Sequence, residues 1–208
     1  QTDRQTDRQT DRQTDRQSII KLLLYVNGFV YLPLSEISSI HVGNKPPEIS
    51  SSPLKYEYIN AGTSLSGYTA HYNCSGDTVT TPSRGQGGIG FIGYQSQPFW
   101  LGPLCYQIKS TDSSLILTRY IYYYLSAHKD LILQYKNEGG TPSLNISDLA
   151  KVKIAIPSLE EQKRIVSILD RFDTLCNDLS AGLPAEIAAR QQQYEYYRDK
   201  LLTFKELT

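Results

Sequence analysis

The sequence has no methionine, few cysteines and no net charge. Its three cysteines, Cys74, Cys105 and Cys176, are odd in number and show no Cys-x-x-Cys spacing. This usage argues against a disulfide framework and a structural zinc site, and it fits a reducing cytoplasm. Because 21 basic residues balance 21 acidic ones, any affinity for a polyanion must come from a local basic face or from a basic partner.

A long apolar segment is also missing. The run Ile19–Val30 is interrupted by Lys21 and Asn27 and is too short to span a bilayer. It follows a polar repeat instead of a charged signal start, so we expect no membrane association and no signal peptide. With 208 residues the chain has room for one globular domain and an extended segment. The first residue is Gln1 and not a methionine, as expected of a fragment or of the downstream part of a longer reading frame.

Residues 1–16 are four copies of Gln-Thr-Asp-Arg. The period matches neither a helix nor a strand and contains no apolar residue, so we expect disorder over residues 1–17. CAG ACA GAC AGA encodes the repeat and is also three copies of the four-base unit CAGA. One hypothesis is that slippage at such a tract switches expression of the chain; the alternative is a solvated linker without a role.

Short strand-like runs separated by turn residues dominate the globular part, which predicts a mainly β region. The predicted strands are Val30–Leu32, Ile37–Val42, Tyr56–Asn60, Tyr68–Tyr72, Thr78–Thr81, Ile89–Tyr94, Leu104–Ile108 and Val152–Ile156.

One helix is predicted within this region, with Thr118 as its N-cap and apolar residues at helical spacing through Tyr135. His128 lies on that apolar face, where a packed histidine is favoured over a ligand or a catalytic base. His41 and His71 have no metal-ligand partners nearby in the sequence.

Residues 84–90 contain a literal Gly-x-Gly-x-x-Gly. A dinucleotide fingerprint requires a helix to begin at these glycines, whereas the residues that follow are strand-like. We interpret the segment as a loop whose backbone meets a phosphate while side chains reach base edges; the alternative is an ordinary β-turn. The candidate DNA-contacting residues in and beside it are Thr81, Ser83, Arg84 and Gln86.

Four further DNA-contact candidates lie in turn-rich stretches: Asn44, Lys45, Tyr68 and Tyr72. Most of the 16 tyrosines are expected in the core or on sheet faces. The sequence contains no arranged nucleophile and base, no metal cluster and no paired acids, so no catalytic residue is predicted.

The C-terminal part is predicted to be helical from Ser158 onwards. Ser158 and Glu161 form a capping box, in which the hydroxyl and the carboxylate satisfy free amides of the first turn. Apolar residues then follow heptad spacing with one stutter, which is typical of a helix that packs against another helix. The predicted interface residues are Ile165, Leu169, Phe172, Leu179, Leu183, Ile187, Tyr194, Tyr197 and Leu201.

The stutter coincides with residues 182–184, where Pro184 predicts a kink or a brief break. Nearly straight, residues 158–204 would span roughly 70 Å, which is too long for the seam to be buried on its own domain. We therefore expect a long coiled-coil arm that needs a partner helix. The alternative is a hairpin of two shorter helices that reverses at 182–184.

Several segments together resemble the specificity subunit of type I restriction–modification enzymes. The resemblance is strongest in the arm and covers about residues 30–208. The matching segments are Leu32–Ile37, Gly139–Leu144, Leu149–Ile156, Pro157–Ile165, Gly182–Ile187 and Gln193–Arg198.

The resemblance implies an α+β fold: a mainly β target recognition domain over residues 18–157 and a spacer and dimerisation helix over 158–208. It implies a non-catalytic subunit that binds double-stranded DNA at a split site and docks methyltransferase subunits, and through them restriction subunits. S-adenosylmethionine, ATP and magnesium would be bound by those partner subunits.

Members of this family usually contain two such units, whereas this chain contains one. It is therefore expected to act as a homodimer or to pair with another half-subunit. The competing hypothesis is a truncated or phase-switched remnant that dimerises through its helix without reading DNA.

Overall fold

The computed structural model describes residues 19–20, 22–61, 63–85, 88–178 and 184–204, and their side chains except over 176–178 and 184–188. The Gln-Thr-Asp-Arg repeat lies outside the described residues. The strands are β1 (Phe29–Pro33), β2 (Ser38–Val42), β3 (Tyr56–Ile59), β4 (Gly67–Thr69), β5 (Thr78–Pro82), β6 (Gly93–Gln95), β7 (Trp100–Leu101), β8 (Cys105–Ser110) and β9 (Lys153–Pro157). The helices are α1 (22–27), α2 (Leu34–Ile37), α3 (Thr118–Ala127), α4 (Asp130–Leu133), α5 (Ile146–Leu149), α6 (Leu159–Asp178) and α7 (Pro184–Leu202).

The strands form three small sheets. An antiparallel central sheet has the order β2-β8-β5-β6, and an outer sheet has the order β4-β3-β7, in which β3 and β7 are parallel. In the central sheet Ile108 pairs with Ile40 on one side and with Val79 on the other. Ile108 and Val79 are fully buried, because alternate residues of a strand point to the same face. The third sheet joins β1 to β9.

Helix α3 lies at the centre of the core, as the spacing of its apolar residues predicts. Ile121 is fully buried, and the hydroxyl of Tyr120 donates a 2.8 Å hydrogen bond to the carbonyl oxygen of Ala155 in β9. His128 packs as a core histidine: its ring stacks on that of Tyr124 with centroids 4.3 Å apart, and its Nδ1 lies 2.9 Å from the Tyr124 carbonyl oxygen.

Both ends of α3 differ from the prediction. Leu117, not Thr118, occupies the N-cap position, and no side chain caps this terminus. The Thr118 hydroxyl instead accepts a hydrogen bond from the backbone of the β8 residue Ser110. The helix predicted through Tyr135 ends at Ala127, and the short helix α4 follows it.

The strand predicted over Ile89–Tyr94 is mostly a turn, because β6 begins only at Gly93. Gly90 has a φ of +90°, which other residues rarely adopt. The Phe91 amide closes the turn by donating a 3.0 Å hydrogen bond to the Gly88 carbonyl oxygen. Ile89 is buried in the core, so its apolar character reflects core packing without a strand.

The single long arm is not confirmed: the structure has two helices that pack against each other in opposite directions. The ring of Phe172 in α6 lies 6.4 Å from that of Tyr194 and 5.8 Å from that of Tyr197 in α7. Further along, Phe204 after α7 reaches β1, where its ring lies 5.3 Å from that of Phe29. Pro184 is the first residue of α7, a position that needs no amide donor, so it starts a helix instead of kinking one.

Most of the described seam residues are therefore used within the chain. Ile165 and Leu169 are fully buried in the core, and Tyr194 and Leu201 pack against it. Leu179 and Leu183 lie outside the described residues, and the Ile187 side chain is not described.

The predicted cap of α6 is present in part. The Glu161 amide donates a 3.3 Å hydrogen bond to the Ser158 hydroxyl. The Glu161 carboxylate does not complete the reciprocal half of the capping box, because it pairs with Arg164 one turn later. This exposed pair lowers the pKa of Glu161, chiefly through the hydrogen bond from Arg164.

Candidate nucleic-acid interface

Arg84 follows β5 in a turn whose backbone is held on both sides. Its neighbour Ser83 donates a 2.9 Å hydrogen bond to the Leu104 carbonyl oxygen, and Gly85 donates a 3.1 Å hydrogen bond to that of Pro142. Gly85 has a φ of +120°, so only glycine fits there without strain. The Arg84 side chain is exposed. A fixed backbone thus presents a guanidinium at the surface.

A second glycine turn, residues 137–143, lies directly beside the first. Ser143 is bridged to Arg84 on one side and to Asn137 on the other. Gly139 and Gly140 are exposed, and a Cβ atom at either would meet nothing within 4 Å. Packing against neighbouring residues therefore does not require glycine at these two positions. The backbone of this turn is open to an approaching group.

The proximity of the two glycine turns to each other could not be predicted from the sequence, because more than fifty residues separate them. The Gly-Gly-Thr-Pro composition of residues 139–142 predicts a turn. It contains no information on which other turn lies beside it.

Thr81 and Ser83 are corrections to the predicted contact set. Both side chains are buried, with exposed fractions of 0% and 6%. Thr81 lies within β5 opposite Tyr106 of β8, and the Ser83 carbonyl oxygen accepts a hydrogen bond from the Leu144 amide. Their side chains point into the protein interior beside the Arg84 turn and do not face solvent. Gln86 lies outside the described residues.

The other predicted residues lie on or beside the outer sheet. The Asn44 side-chain oxygen accepts a 2.8 Å hydrogen bond from Asn73, and its backbone oxygen accepts one of 2.8 Å from the Trp100 indole. Asn44 therefore ties β7 to the segment that contains Asn73, and its side-chain nitrogen is the part left for a ligand. Lys45, next to it, is exposed.

Tyr68 and Tyr72 differ in exposure. Tyr68 is half-buried in β4, where it pairs with Glu57. Tyr72 is 54% exposed and its ring lies 5.0 Å from that of Tyr56, whose other neighbour is the Lys55 ammonium, 5.3 Å from the ring centroid. Lys55 and Tyr56 could not be predicted from the sequence, because only the folded sheet brings them to Tyr72.

The segment between β7 and β8 connects the two groups of candidates. Leu104 donates a 2.9 Å hydrogen bond to the Asn60 side chain after β3, while its carbonyl oxygen accepts the bond from Ser83. Gly43, before Asn44, donates a 3.3 Å hydrogen bond to the carbonyl oxygen of Cys105. The Arg84 turn and the outer sheet are thus anchored to the same short segment.

Arg84 lies close enough to the buried end of β8 to act on it electrostatically. Burial raises the pKa of Tyr106, and the positive charge of Arg84 opposes that rise. The Tyr106 hydroxyl donates a 3.0 Å hydrogen bond to the carbonyl oxygen of Leu144. This bond joins β8 to the segment that follows the second glycine turn. Tyr106 is thus close to both glycine turns.

The described residues contain no group of His, Cys, Asp and Glu side chains that could hold a metal ion. Cys74 and Cys105 are free and buried. Burial raises the pKa of Cys74 to about 11 and that of Cys105 to about 12, which keeps both thiols protonated and weakly nucleophilic. Among the residues that the structure describes, no helix is long and apolar enough to cross a membrane.

Comparisons with known proteins agree on one family. The family described as "Type I restriction modification DNA specificity domain" matches residues 27–189. The "Type I restriction enzyme EcoR124I/EcoR124II specificity subunit" of Escherichia coli is 47% identical over 91 residues, which are 43% of this chain and 22% of that protein. The "Type I restriction enzyme MpnII specificity subunit" of Mycoplasma pneumoniae is 27% identical over 168 residues, 81% of this chain and 48% of that protein.

The same fold occurs in the crystal structure of a type I restriction–modification S subunit from M. genitalium. The TM-score is 0.67 at 21% identity, and the match covers 74% of this chain and 41% of that one. The chain spans about a fifth to about half of the length of these curated relatives. The family match over most of the chain, together with the shared fold, shows that this chain belongs to the type I restriction–modification DNA specificity domain family.

Proposed function

We propose that this chain is the non-catalytic subunit that recognises a DNA sequence for a type I restriction–modification complex. The observation that carries the proposal is the family match over residues 27–189. The exposed Arg84 on a fixed backbone supports it, because the planar guanidinium of arginine binds the edge of guanine or a backbone phosphate through two donors.

The two glycine turns suit two different tasks in this proposal. Arg84 supplies the side chain that discriminates between bases, at about 1–3 kcal/mol per good contact. Gly139 and Gly140 leave backbone open for a phosphate, which positions the protein without reading sequence. Lys45 and Tyr72, which are exposed beside the outer sheet, would extend the surface that contacts DNA.

The zero net charge is consistent with DNA that is held jointly with other subunits. Binding to DNA depends on neutralised phosphates, and in this proposal basic partners supply part of that charge. We propose that methyltransferase subunits dock on α6 and α7 and clasp the DNA jointly with residues 18–157, and that restriction subunits join through them. S-adenosylmethionine, ATP and magnesium would then be bound by those subunits and not by this chain.

The target in this proposal is a split site, read by two recognition units. Residues 27–189 match one such unit, and in this proposal a second copy or another half-subunit reads the other half-site. The return of α7 onto α6 uses much of the seam within the chain, so pairing would involve either the outer faces of these helices or an exchange of α7 between copies.

The second candidate is a truncated or phase-switched remnant that dimerises without productive DNA recognition. It is favoured by the tandem repeat at residues 1–16. If the gene encodes this repeat with four-base CAGA units, gain or loss of one unit would shift the reading frame.

Co-expression with the methyltransferase subunit, followed by mapping of methylated adenines in the host DNA, separates the two candidates. Methylation at one defined sequence supports the first. Dimers without site-specific methylation support the second. Arg84→Ala should lower methylation at that sequence or change the bases accepted, whereas Lys153→Ala, which removes an exposed cation from the separate β1–β9 sheet, should leave it unchanged. Equal methylation by both variants would remove Arg84 from the interface.

A further inference from the structure

Arg119 in α3 lies between two carboxylates of α6. Its Nε donates a 2.8 Å hydrogen bond to Asp170 Oδ1, and its Nη2 lies 3.2 Å from Asp173 Oδ2. The Tyr123 hydroxyl completes the arrangement, because its oxygen lies 2.6 Å from Asp170 Oδ1 and 2.8 Å from Asp173 Oδ2. One guanidinium and one phenol thus tie α3 to two successive turns of α6.

The same guanidinium is surrounded by aromatic rings. Its central carbon lies 4.3 Å from the ring centroid of Tyr94, 4.9 Å from that of Tyr122 and 4.8 Å from that of Tyr123. Such short distances give a cation–π attraction that is stronger away from water, and the Arg119 side chain is only 23% exposed. The cluster therefore joins three elements: β6 through Tyr94, α3, and α6.

Tyr94 is itself fixed at its far end. Its hydroxyl donates a 2.7 Å hydrogen bond to Asp77 Oδ1, in the turn before β5. Asp77 has a φ of +55°, a left-handed conformation that aspartate tolerates better than most residues. Tyr94 therefore links the start of β5, the strand β6 and Arg119.

This position matters because β5 and β6 are the two strands that flank the Arg84 turn. They pair in antiparallel register, from Thr78 opposite Gln95 to Thr80 opposite Gly93. The Arg119 cluster thus clamps the base of the hairpin that carries Arg84 to helix α6. Apolar packing between helices restricts the crossing angle only to within about 15–20°. A guanidinium that bonds two carboxylates adds a directional constraint that narrows this range.

We propose that Arg119 is a positioning residue that sets the angle between the Arg84 hairpin and α6, and with it the distance between the two half-sites accepted in DNA. The second part of this proposal rests on the proposed function. Arg119 touches no DNA in this scheme and acts through Tyr94, Asp170 and Asp173. Its loss should leave the bases read by Arg84 unchanged and widen the range of spacings between half-sites.

The first test measures the free chain and needs no DNA. The second glycine turn is bridged to Arg84 through Ser143, so a label in it follows the Arg84 hairpin. Spin labels carried by non-canonical amino acids at the exposed positions Thr141 and Ser167 report the distance between this turn and α6 by pulsed electron paramagnetic resonance. Arg119→Met should broaden the distance distribution by about twofold, because the directional bonds are lost. Arg119→Lys keeps the charge but not the two-donor geometry, so it should give an intermediate width. Lys151→Met, which breaks an exposed pair with Asp148, is the control and should give the wild-type width.

An unchanged width in a folded Arg119 variant would overturn the proposal. Circular dichroism and a cooperative urea transition show whether each variant folds. If Arg119→Met does not fold, Arg119→Lys decides the question alone, because it retains the buried positive charge.

The second test uses the complex with the methyltransferase subunit and maps methylated sites in a library with variable spacing. Arg119→Lys should keep the half-site bases and accept more spacings than the wild type. Unchanged spacing, or loss of the half-site bases together with spacing, would contradict the inference. Failure of the proposed function is recognised separately, because the wild type itself would then direct no methylation while the distance measurement would still apply.

Discussion

Phe172 in α6 stacks on Tyr197 in α7, with ring centroids 5.8 Å apart and 18° between the ring planes. The two residues occupy positions of the predicted heptad seam, which requires a partner helix. Their contact shows that α6 (Leu159–Asp178) and α7 (Pro184–Leu202) can serve as packing partners for each other.

A double-mutant cycle on this pair tests whether the contact exists in solution. We expect Phe172→Ala and Tyr197→Ala to be coupled by about 0.5–1.5 kcal/mol in the free energy of unfolding, as for stacked aromatic pairs. The measurement is urea unfolding at low protein concentration, where chains are monomeric. Leu175→Ala, at a position 47% exposed in α6, is the control partner for Tyr197→Ala and should show no coupling. Coupling that disappears on dilution would place the contact between chains.

Substitution of Gln162, near the start of α6, should strongly lower the stability of the protein. Its side chain is fully buried, and its amide nitrogen lies 2.9 Å from the Leu115 oxygen and 3.0 Å from the Pro157 oxygen. Its oxygen accepts a 3.0 Å hydrogen bond from the Leu117 amide. Gln162→Leu leaves these groups without partners and should lower the free energy of unfolding by about 1–3 kcal/mol.

Gln162→Glu should cost more, because a carboxylate would face two carbonyl oxygens. Urea unfolding at neutral pH gives both values. Gln193→Leu, on the exposed surface of α7, should change stability by less than about 0.5 kcal/mol. A Gln162→Leu variant as stable as the wild type would contradict the described hydrogen bonds.

Two glycines predict opposite responses to alanine. A Cβ atom at Gly43 would overlap the carbonyl oxygen of Leu101, whereas at Gly139 it would meet nothing within 4 Å. Gly43→Ala should therefore lower stability by about 1–3 kcal/mol or more, and Gly139→Ala should leave it within about 0.5 kcal/mol. In the proposed interface the methyl group that Gly139→Ala introduces should still weaken DNA binding by the methyltransferase complex, because it keeps the backbone of the turn away from the phosphate. Normal DNA binding by a stable Gly139→Ala variant would exclude that contact.

Alkaline pH should destabilise the protein through Tyr94 and Tyr123. Burial raises the pKa of both phenols, and hydrogen bonds to Asp77 and to Asp170 raise them further. In the unfolded chain they titrate near the ordinary value of 10.0. Below that pH both states hold the proton and the stability contribution is complete. Above it only the unfolded state loses the proton, so stability falls.

By pH 11 each phenol should lower the free energy of unfolding by about 1 kcal/mol. Urea midpoints between pH 8 and pH 11 give the slope. Tyr123→Phe should reduce that slope, and an unchanged slope would show that Tyr123 titrates normally.

The N-terminal repeat makes a prediction about the gene. The codons of residues 1–16 should spell an uninterrupted CAGA tract, in which gain or loss of one unit shifts the reading frame. Deep sequencing of the tract in a single culture should then show lengths that differ by whole units. Synonymous codons that break the tract, or a single length throughout, would exclude slippage.

Local patterns predicted much of the fold, and the misses have identifiable causes. The core face of α3 and the cap at Ser158 depend on residues that are close in sequence, so their spacing was enough. The strand predicted over Ile89–Tyr94 failed because the apolar residues of a buried turn look like those of a strand. Thr118 looked like a cap, but its hydroxyl is used by a neighbouring strand.

Contacts between distant residues could not be predicted from patterns. The heptad seam correctly required a packing partner for α6, but spacing cannot say whether that partner is in the same chain. Thr81, Ser83 and Arg84 are neighbours in sequence and polar, yet only the pairing of β5 with β8 buries Thr81. Arg119 likewise gave no signal, since its two carboxylates lie about fifty residues away.

The unit bounded by β1 and the end of α7 is closed on itself. Phe29 pairs with Pro157 at the edge of the body, and the Phe204 ring returns to within 5.3 Å of the Phe29 ring. Strand β1 and the segment after α7 therefore meet at one place. Two such units can be fused in tandem, separated into independent genes or circularly permuted at that junction without rearranging either interior. Exchange of a whole unit would then transfer its proposed DNA-reading surface together with its own pair of helices.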